Sequence, residues 1–264
     1  MEAGGNVLQE ERYKKILEIL KLNDSVKVTE LVQVLNVSID TVRRDLEAME
    51  NKKVLKRVHG GAILAADPGD RNAFTYREIK NKEKKTELAS LVCEYVSEGQ
   101  AIALNAGTTN LEVAKKLAEN FERLTIITNG IRILDFFSSK PNFTVIVPGG
   151  IFDHQEYALY GKKCEVEIAG YNIDQAFISI NAISVDKGLT DFRLHEIDII
   201  KAMLGNARQK IVVADSSKFE KVSYMNVSPL SQIDMIITDS TINEDIVKMY
   251  KDKGTVIAYR RSQE

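Results

Sequence analysis

The stretch Ala103–Asn110, ALNAGTTN, takes an apolar run into Asn105, then Gly107, Thr108 and Thr109, and opens the helical pattern LEVAKKLAEN. A strand, a glycine turn and a helix start in that order suit a phosphate, because a helix N-terminus presents unpaired N–H groups and a positive dipole end. Further apolar runs also end in small or polar residues: TNG, PGG, SINA, ADSSK and TDS. Asn129 offers an amide, Gly149 and Gly150 a close backbone approach, and Lys218 a positive charge after Asp215-Ser216-Ser217. In open α/β sheets, ligands bind at the carboxyl ends of the strands, where these residues would gather. Each motif alone is as well explained by an ordinary turn. A catalytic use needs a proton-transfer group beside the cradle, and Asn105 cannot act as a general acid or base. Asp215, Asp239 and Glu196 leave catalysis open by residue type.

A second constellation lies upstream. ELVQVLNVSIDTVRRDLEAM has the size and pattern of a helix-turn-helix at about 26–45, with Asn36-Val37 at the turn and Ser38 placed to cap the second helix. The stripe Ile39, Val42, Leu46 and Met49 is expected to face the core, leaving Asp40, Thr41, Arg43, Arg44 and Glu47 outside. Adjacent arginines near the start of such a helix can grip guanine edges or phosphates, with Ser38 and Thr41 adding short polar contacts. The following NKKVLKRVHGGAIL has no acid and carries Lys52, Lys53, Lys56 and Arg57, as expected of a two-stranded wing lying on phosphates. From Asn36 to Gly60 six basic residues meet four acids, which favours a DNA face over a merely solvated one.

These residues need two kinds of scaffold. From about residue 8 to 64 the periodicity gives three helices and a ribbon, with Tyr13, Ile16, Leu17 and Leu20 on one stripe and Leu31, Val32 and Leu35 on another. Residues 65–75, with a Pro-Gly pair and alternating charges, suggest a linker. From 76 to 264, β-branched runs alternate with helical patterns, which predicts an α/β domain with a mostly parallel sheet. The 264 residues, net charge of −2, two cysteines outside any CxxC pattern and absence of a span-length apolar run suggest a soluble cytoplasmic protein with reduced thiols and no membrane partner. The N-terminal MEAGGNVLQEERYKK is expected to be a loose leader. His59, His154 and His195 share no metal-ligand spacing, so neither a metal nor a cofactor is expected.

VSIDTVRRDLEAME followed by LKRVHGGA resembles the DNA-binding region of the DeoR family of bacterial transcriptional regulators. The resemblance implies a recognition helix carrying Arg43 and Arg44 and a wing with Lys56, Arg57 and His59. GTT, TNG, PGG, DQAFIS, GLT and ADSSKF, in that order, resemble the family's effector domain, so the likeness runs from about residue 8 to 240. That implies a fold like that of ribose-5-phosphate isomerases and CoA transferases, and a sensor rather than an enzyme. A phosphorylated sugar would be its effector, double-stranded operator DNA its target and a homo-oligomer its working form. Carried over by motif, Gly107, Thr108, Thr109, Asn129, Gly149, Gly150 and Lys218 would contact the effector, with Asn105 and Asp215 beside them. Three departures stand out: Lys27 where a capping serine is common, Asn105 where the family usually has aspartate, and SINAIS in place of a glycine-rich stretch. The last two leave open a DNA-binding protein whose α/β domain is only a platform.

Overall fold

The computed structural model describes residues 9–23, 25–51, 55–58, 60–64 and 74–261. Residues 1–8 of the expected leader, residues 65–73 of the expected linker, and Lys52, Lys53, Val54 and His59 of the expected wing lie outside the described residues. The rest of the expected leader, 9–15, is not loose: it forms the first half of a helix, Gln9–Asn23, whose apolar stripe enters the core. The chain divides into two compact units, Met1–Lys80 and Asn81–Glu264.

In the first unit, α1 (Gln9–Asn23) leads through the short β1 (Ser25–Lys27) into α2 (Val28–Leu35) and α3 (Ile39–Asn51). The turn between α2 and α3 rests on Asn36, which ends α2 in the left-handed conformation at φ 51°. Asparagine tolerates that region because its short polar side chain bonds locally. Ser38 then caps α3: its Oγ accepts the Thr41 N–H at 3.1 Å, and its carbonyl accepts the Val42 N–H at 3.1 Å. Lys27 at the head of α2 supplies no side-chain cap, in line with the missing serine. β2 (Leu55–Val58) and β3 (Gly61–Leu64) pair as an antiparallel hairpin, and β1 joins β3 to complete a three-stranded sheet. Ile16, Leu20, Leu31, Leu35, Val42, Leu46, Met49 and Leu55 make one buried core. Ile39 departs from its expected place: it is 42% exposed, because it starts α3 before the helix has turned its inner face to the core. The fourth helix, α4 (Phe74–Ile79), lies against α1, so this unit extends beyond the wing.

A polar tie crosses this core. Arg12 on α1 donates from Nε to Asp45 Oδ2 at 2.6 Å and from a second nitrogen to Oδ1 at 3.0 Å. Asp45 is 2% exposed, so the inward acid of VRRDL serves the helix packing. The hydrogen bond from Arg12 to Asp45 raises the arginine's pKa further. A two-pronged charge-assisted pair of this kind fixes orientation as well as distance.

The second unit begins with α5 (Lys82–Val92) and builds a seven-stranded sheet whose order is β15-β14-β12-β9-β4-β5-β6. Its strands are β4 (Ala101–Leu104), β5 (Thr125–Thr128), β6 (Thr144–Ile146), β9 (Ile173–Ser179), β12 (Ala207–Val213), β14 (Met235–Ile237) and β15 (Ile257–Ala258). Every pairing in it is parallel. Parallel neighbours need crossover connections. Helices α6 (Thr108–Asn120), α7 (Ile131–Phe137), α8 (Lys162–Ala169), α9 (Leu194–Asn206) and α10 (Glu244–Asp252) supply most of them. The central strands are apolar toward their carboxyl ends, with Ile102, Leu104, Phe177, Ile178, Val212 and Val213 fully buried. A hairpin of β7 (Ile151–Asp153) and β8 (Ala158–Tyr160) and a small sheet ordered β10 (Ala182–Ser184), β11 (Gly188–Asp191), β13 (Met225–Ser228) complete the unit.

From β4 the chain runs outward to β5 and β6 and then returns to the other side of β4 as β9. The winding therefore reverses between β4 and β9. Loops leaving two such strands at their carboxyl ends part in opposite directions, which opens a crevice there. Asn105-Ala106-Gly107 leaves β4 at that point, and Ile180-Asn181 leaves β9.

Candidate functional site

On the first unit, α3 presents Arg43 and Arg44 as exposed side chains with Asp40 and Glu47 beside them, while Val42, Asp45, Leu46 and Met49 turn inward. Ser38 and Thr41 sit at the start of the same helix with their hydroxyls 2.9 Å apart. Arg57 on β2 is exposed, and its backbone N–H donates to Glu50 at 2.8 Å, which ties the hairpin to the end of α3. Lys56 lies next to it on the strand. The outward face of α3 and β2 thus carries cations held on rigid elements, a form suited to a polyanionic helix.

In the second unit, the loop Asn105–Thr109 is built from beneath. Asn105 is fully buried; its Oδ1 accepts the Ser179 N–H and the Asn110 amide, both at 2.8 Å. Its own amide donates to the carbonyl of Ser179 at 3.1 Å. One side chain therefore stitches β4 to β9 where the winding reverses. Asn129, after β5, is also fully buried: its Oδ1 accepts the Ala106 N–H at 2.8 Å, and its amide donates to the Leu159 carbonyl at 3.0 Å and to Glu196 Oε1 at 2.7 Å. Sequence motifs placed both asparagines at an effector; the structure places them under the loop, with their polar atoms turned to protein partners.

Three residues outside the motifs complete this floor. Arg193, just before α9, donates to the Ala106 carbonyl at 2.7 Å and to the Ser179 carbonyl at 3.1 Å. Asp191 holds that guanidinium by two bonds, at 3.0 and 2.7 Å. Glu196, on the first turn of α9, faces Asn129 and lies 3.5 Å from the Asn105 amide. Burial drives the Glu196 carboxyl up to about 7, against the opposing pull of Arg193 and the Asn129 hydrogen bond. Neighbouring His195 points the other way: it is exposed and stacks on Tyr160 with ring centroids 3.9 Å apart. Adjacent helical residues diverge by about 100°, which accounts for the contrast.

The loop's glycine is required by space. At Gly107 a Cβ would run into Ser179 Oγ and lie 3.6 Å from a nitrogen of Arg193. Thr108 and Thr109 open α6 directly after it, nearly enclosed at 5% and 7% exposure. The Pro-Gly-Gly turn after β6 is a separate close approach: a Cβ at Gly150 would press on the Tyr160 backbone, with its nitrogen 3.2 Å away. The Gly149 N–H donates to Glu167 at 2.8 Å. Asp215 and Lys218 belong to the turn that leaves β12. There Asp215 accepts the Ser217 N–H at 3.0 Å and the Asn81 amide at 3.1 Å.

Both cysteines are free; burial lifts Cys164 to about 12 and Cys93 to about 11, so each stays a thiol at neutral pH. Among the described residues, no group of His, Cys, Asp and Glu could hold a metal ion, and no helix is long and apolar enough to cross a membrane.

Comparison with known proteins agrees with this division of labour. The model for the DeoR-like helix-turn-helix domain matches residues 12–67, and that for the DeoR C-terminal sensor domain matches 80–240. HTH-type transcriptional regulator GolR of Listeria innocua is 34% identical over 92% of this chain and 96% of its own. HTH-type transcriptional repressor CsqR of Escherichia coli is 31% identical over 86% and 87%. The glycerol-3-phosphate regulon repressor of Escherichia coli is 28% identical over 92% and 96%. A ribose 5-phosphate isomerase A from Methanocaldococcus jannaschii aligns with 53% of this chain and 55% of that chain, at 16% identity and a TM-score of 0.39. With its recognition helix in the first unit and its sensor domain in the second, this chain belongs to the DeoR family of HTH-type transcriptional regulators.

Proposed function

We propose that the protein is a repressor of a carbohydrate-metabolism operon, released from or recruited to its operator by a phosphorylated sugar or sugar derivative. The observation that carries this reading is the start of α6, where Gly107, Thr108 and Thr109 open a helix at the point of reversal between β4 and β9. A helix N-terminus there offers N–H groups and a favourable dipole to a phosphate. Lys218 would add the charge, while Gly149 and Gly150 would border the sugar. A relative that represses a glycerol-3-phosphate regulon supports the choice of ligand class. On the DNA side, Arg43 and Arg44 would reach base edges or phosphates, with Ser38, Thr41, Lys56, Arg57 and His59 contacting the backbone. One such head spans few base pairs, so selective binding calls for paired half-sites and a homo-oligomer.

The test is to select DNA from a random pool with the full-length protein, then add a panel of pentose, hexose and triose phosphates. One of them is expected to change the affinity for the selected DNA by at least about tenfold. It should also raise the unfolding temperature of the protein alone. Selective DNA binding with no response across the panel would overturn the sensor reading and favour a platform. That second reading draws its support from the near-complete enclosure of Thr108 and Thr109.

A further inference from the structure

Two strand ends of the second unit share a pattern: Asp215-Ser216-Ser217 after β12 and Asp239-Ser240-Thr241 after β14. In each, the aspartate accepts both the N–H and the hydroxyl of the residue two positions on. The two turns are joined directly, since the Ser216 N–H donates to Asp239 Oδ2 at 2.6 Å and the Ser216 and Thr241 hydroxyls lie 2.8 Å apart. One face of α5 then closes over both. The Asn81 amide donates to Asp215 Oδ1 and to Ser217 Oγ, each at 3.1 Å. The Lys84 ammonium donates to Ser216 Oγ at 2.9 Å and to Thr241 Oγ1 at 2.7 Å. Glu87 accepts the Ser240 N–H at 2.7 Å. Positions 81, 84 and 87 are three apart and so share a helical face.

We propose that Asn81, Lys84 and Glu87 form a latch that carries movement of the Asp215–Lys218 turn to the chain segment entering the second unit. The trigger rests on the sugar-phosphate reading above; the mechanics do not. Asp215 and Asp239 are all but fully buried, so the aspartate anchors have no room to shift independently. Hydrogen bonds weaken steeply once their geometry is lost. A turn that moves by about 1 Å to bring Lys218 onto a phosphate must therefore drag the start of α5 or let it go. Asn81 adds a second constraint, because its backbone is left-handed at φ 56° and ψ 32°. That conformation is open to asparagine but costly for most side chains, so the residue sets both the helix start and the aim of its own amide. Asn81 is the first residue of the second unit, and Lys80 the last of the first. Whatever displaces it acts on the covalent connection to the DNA-binding unit.

Hydrogen exchange on the full-length protein without ligand tests the mechanics. In Lys84→Met, amides of Ser216–Lys218 and of the second turn of α5, beginning with Lys85 bonded to the Asn81 carbonyl, are expected to exchange about tenfold faster together, while the second turn of α6 is unchanged. Acceleration in only one of the two segments would overturn the latch. The second arm uses the DNA and the sugar phosphate identified above. Lys84→Met and Asn81→Ala should keep sugar-phosphate affinity within about threefold, yet lose most of the ligand-driven change in DNA affinity, and Lys84→Arg should restore it. A full response in both variants, or loss of sugar-phosphate binding itself, would overturn the proposal. If no sugar phosphate acts on the wild-type protein, the functional reading fails and the exchange experiment still decides the latch.

Discussion

The outward face of α3 and the floor under the Asn105–Thr109 loop solve opposite problems with polar residues. On α3, Arg43 and Arg44 stand in solvent with no hydrogen bond or ion pair to any described residue. Under the loop, Arg193, Asp191, Asn105, Asn129 and Glu196 are buried and bonded to one another or to backbone. Solvated cations cost the fold little and keep their donors available, whereas buried polar groups hold a shape only when they are satisfied. Solvent-facing cations and a rigid sensor floor therefore rest on different residues, and substitution should separate them.

The largest effect is expected at Arg193. Arg193→Ala leaves Asp191 buried without its partner, and breaking such a pair costs about 3–5 kcal/mol. Chemical denaturation should show the loss in the second unit, with the first unit's transition unmoved. A drop below about 1 kcal/mol would mean the floor is not what holds the loop.

Next comes the pH dependence set by Glu196. Its folded-state value, near 7, lies above its ordinary value of 4.5. The folded state therefore holds the proton more tightly than the unfolded chain does. The stability this confers is fully present below about pH 4.5 and is lost as pH rises through about 7, up to about 3 kcal/mol in total. Glu196→Gln removes the titration, so the difference in stability between variant and wild type should grow in the variant's favour across that window. A difference that stays flat from pH 4.5 to 8 would place Glu196 in contact with water.

Arg44→Ala sharpens the comparison from the other side. It should weaken binding to the selected DNA by about 1–3 kcal/mol and leave the unfolding temperature within error. If stability fell instead, α3 would be using that arginine for packing. The smallest effect is at Lys27. Lys27→Ser supplies the cap that α2 lacks and should stabilise the first unit by about 0.5–1 kcal/mol, with DNA binding unchanged.

The same contrast explains what could be read from the sequence. Ser38, the Asn36 turn and the inward Val42-Leu46-Met49 stripe are local, and helical periodicity with capping chemistry exposes them. Ile39 broke the pattern because periodicity does not say where along the first turn burial begins. Asp45 was assigned to neither face, because its partner Arg12 lies 33 residues away and is invisible to any local window. The parallel sheet was legible from its apolar runs, and the strand-end motifs marked its carboxyl edge. Their roles were not legible. Asn105 bonds to Ser179, 74 residues on, and Asn129 to Glu196, 67 residues on. Spacing along the chain carries no trace of such pairings. Arg193 was missed altogether because a single arginine ahead of a helix has no motif. The one available signal was the Asp191-x-Arg193 pair beside a strand end.

Those separations also bear on the order in which the protein becomes competent during synthesis. Every residue of the first unit has been made by Lys80, including α3 and its arginines. The floor beneath the Asn105–Thr109 loop cannot close until Ser179, Arg193 and Glu196 have been added. For more than a hundred residues of elongation, a nascent chain thus owns its recognition helix and lacks the apparatus that would govern it. A chain truncated before Arg193 would remain in that ungoverned state.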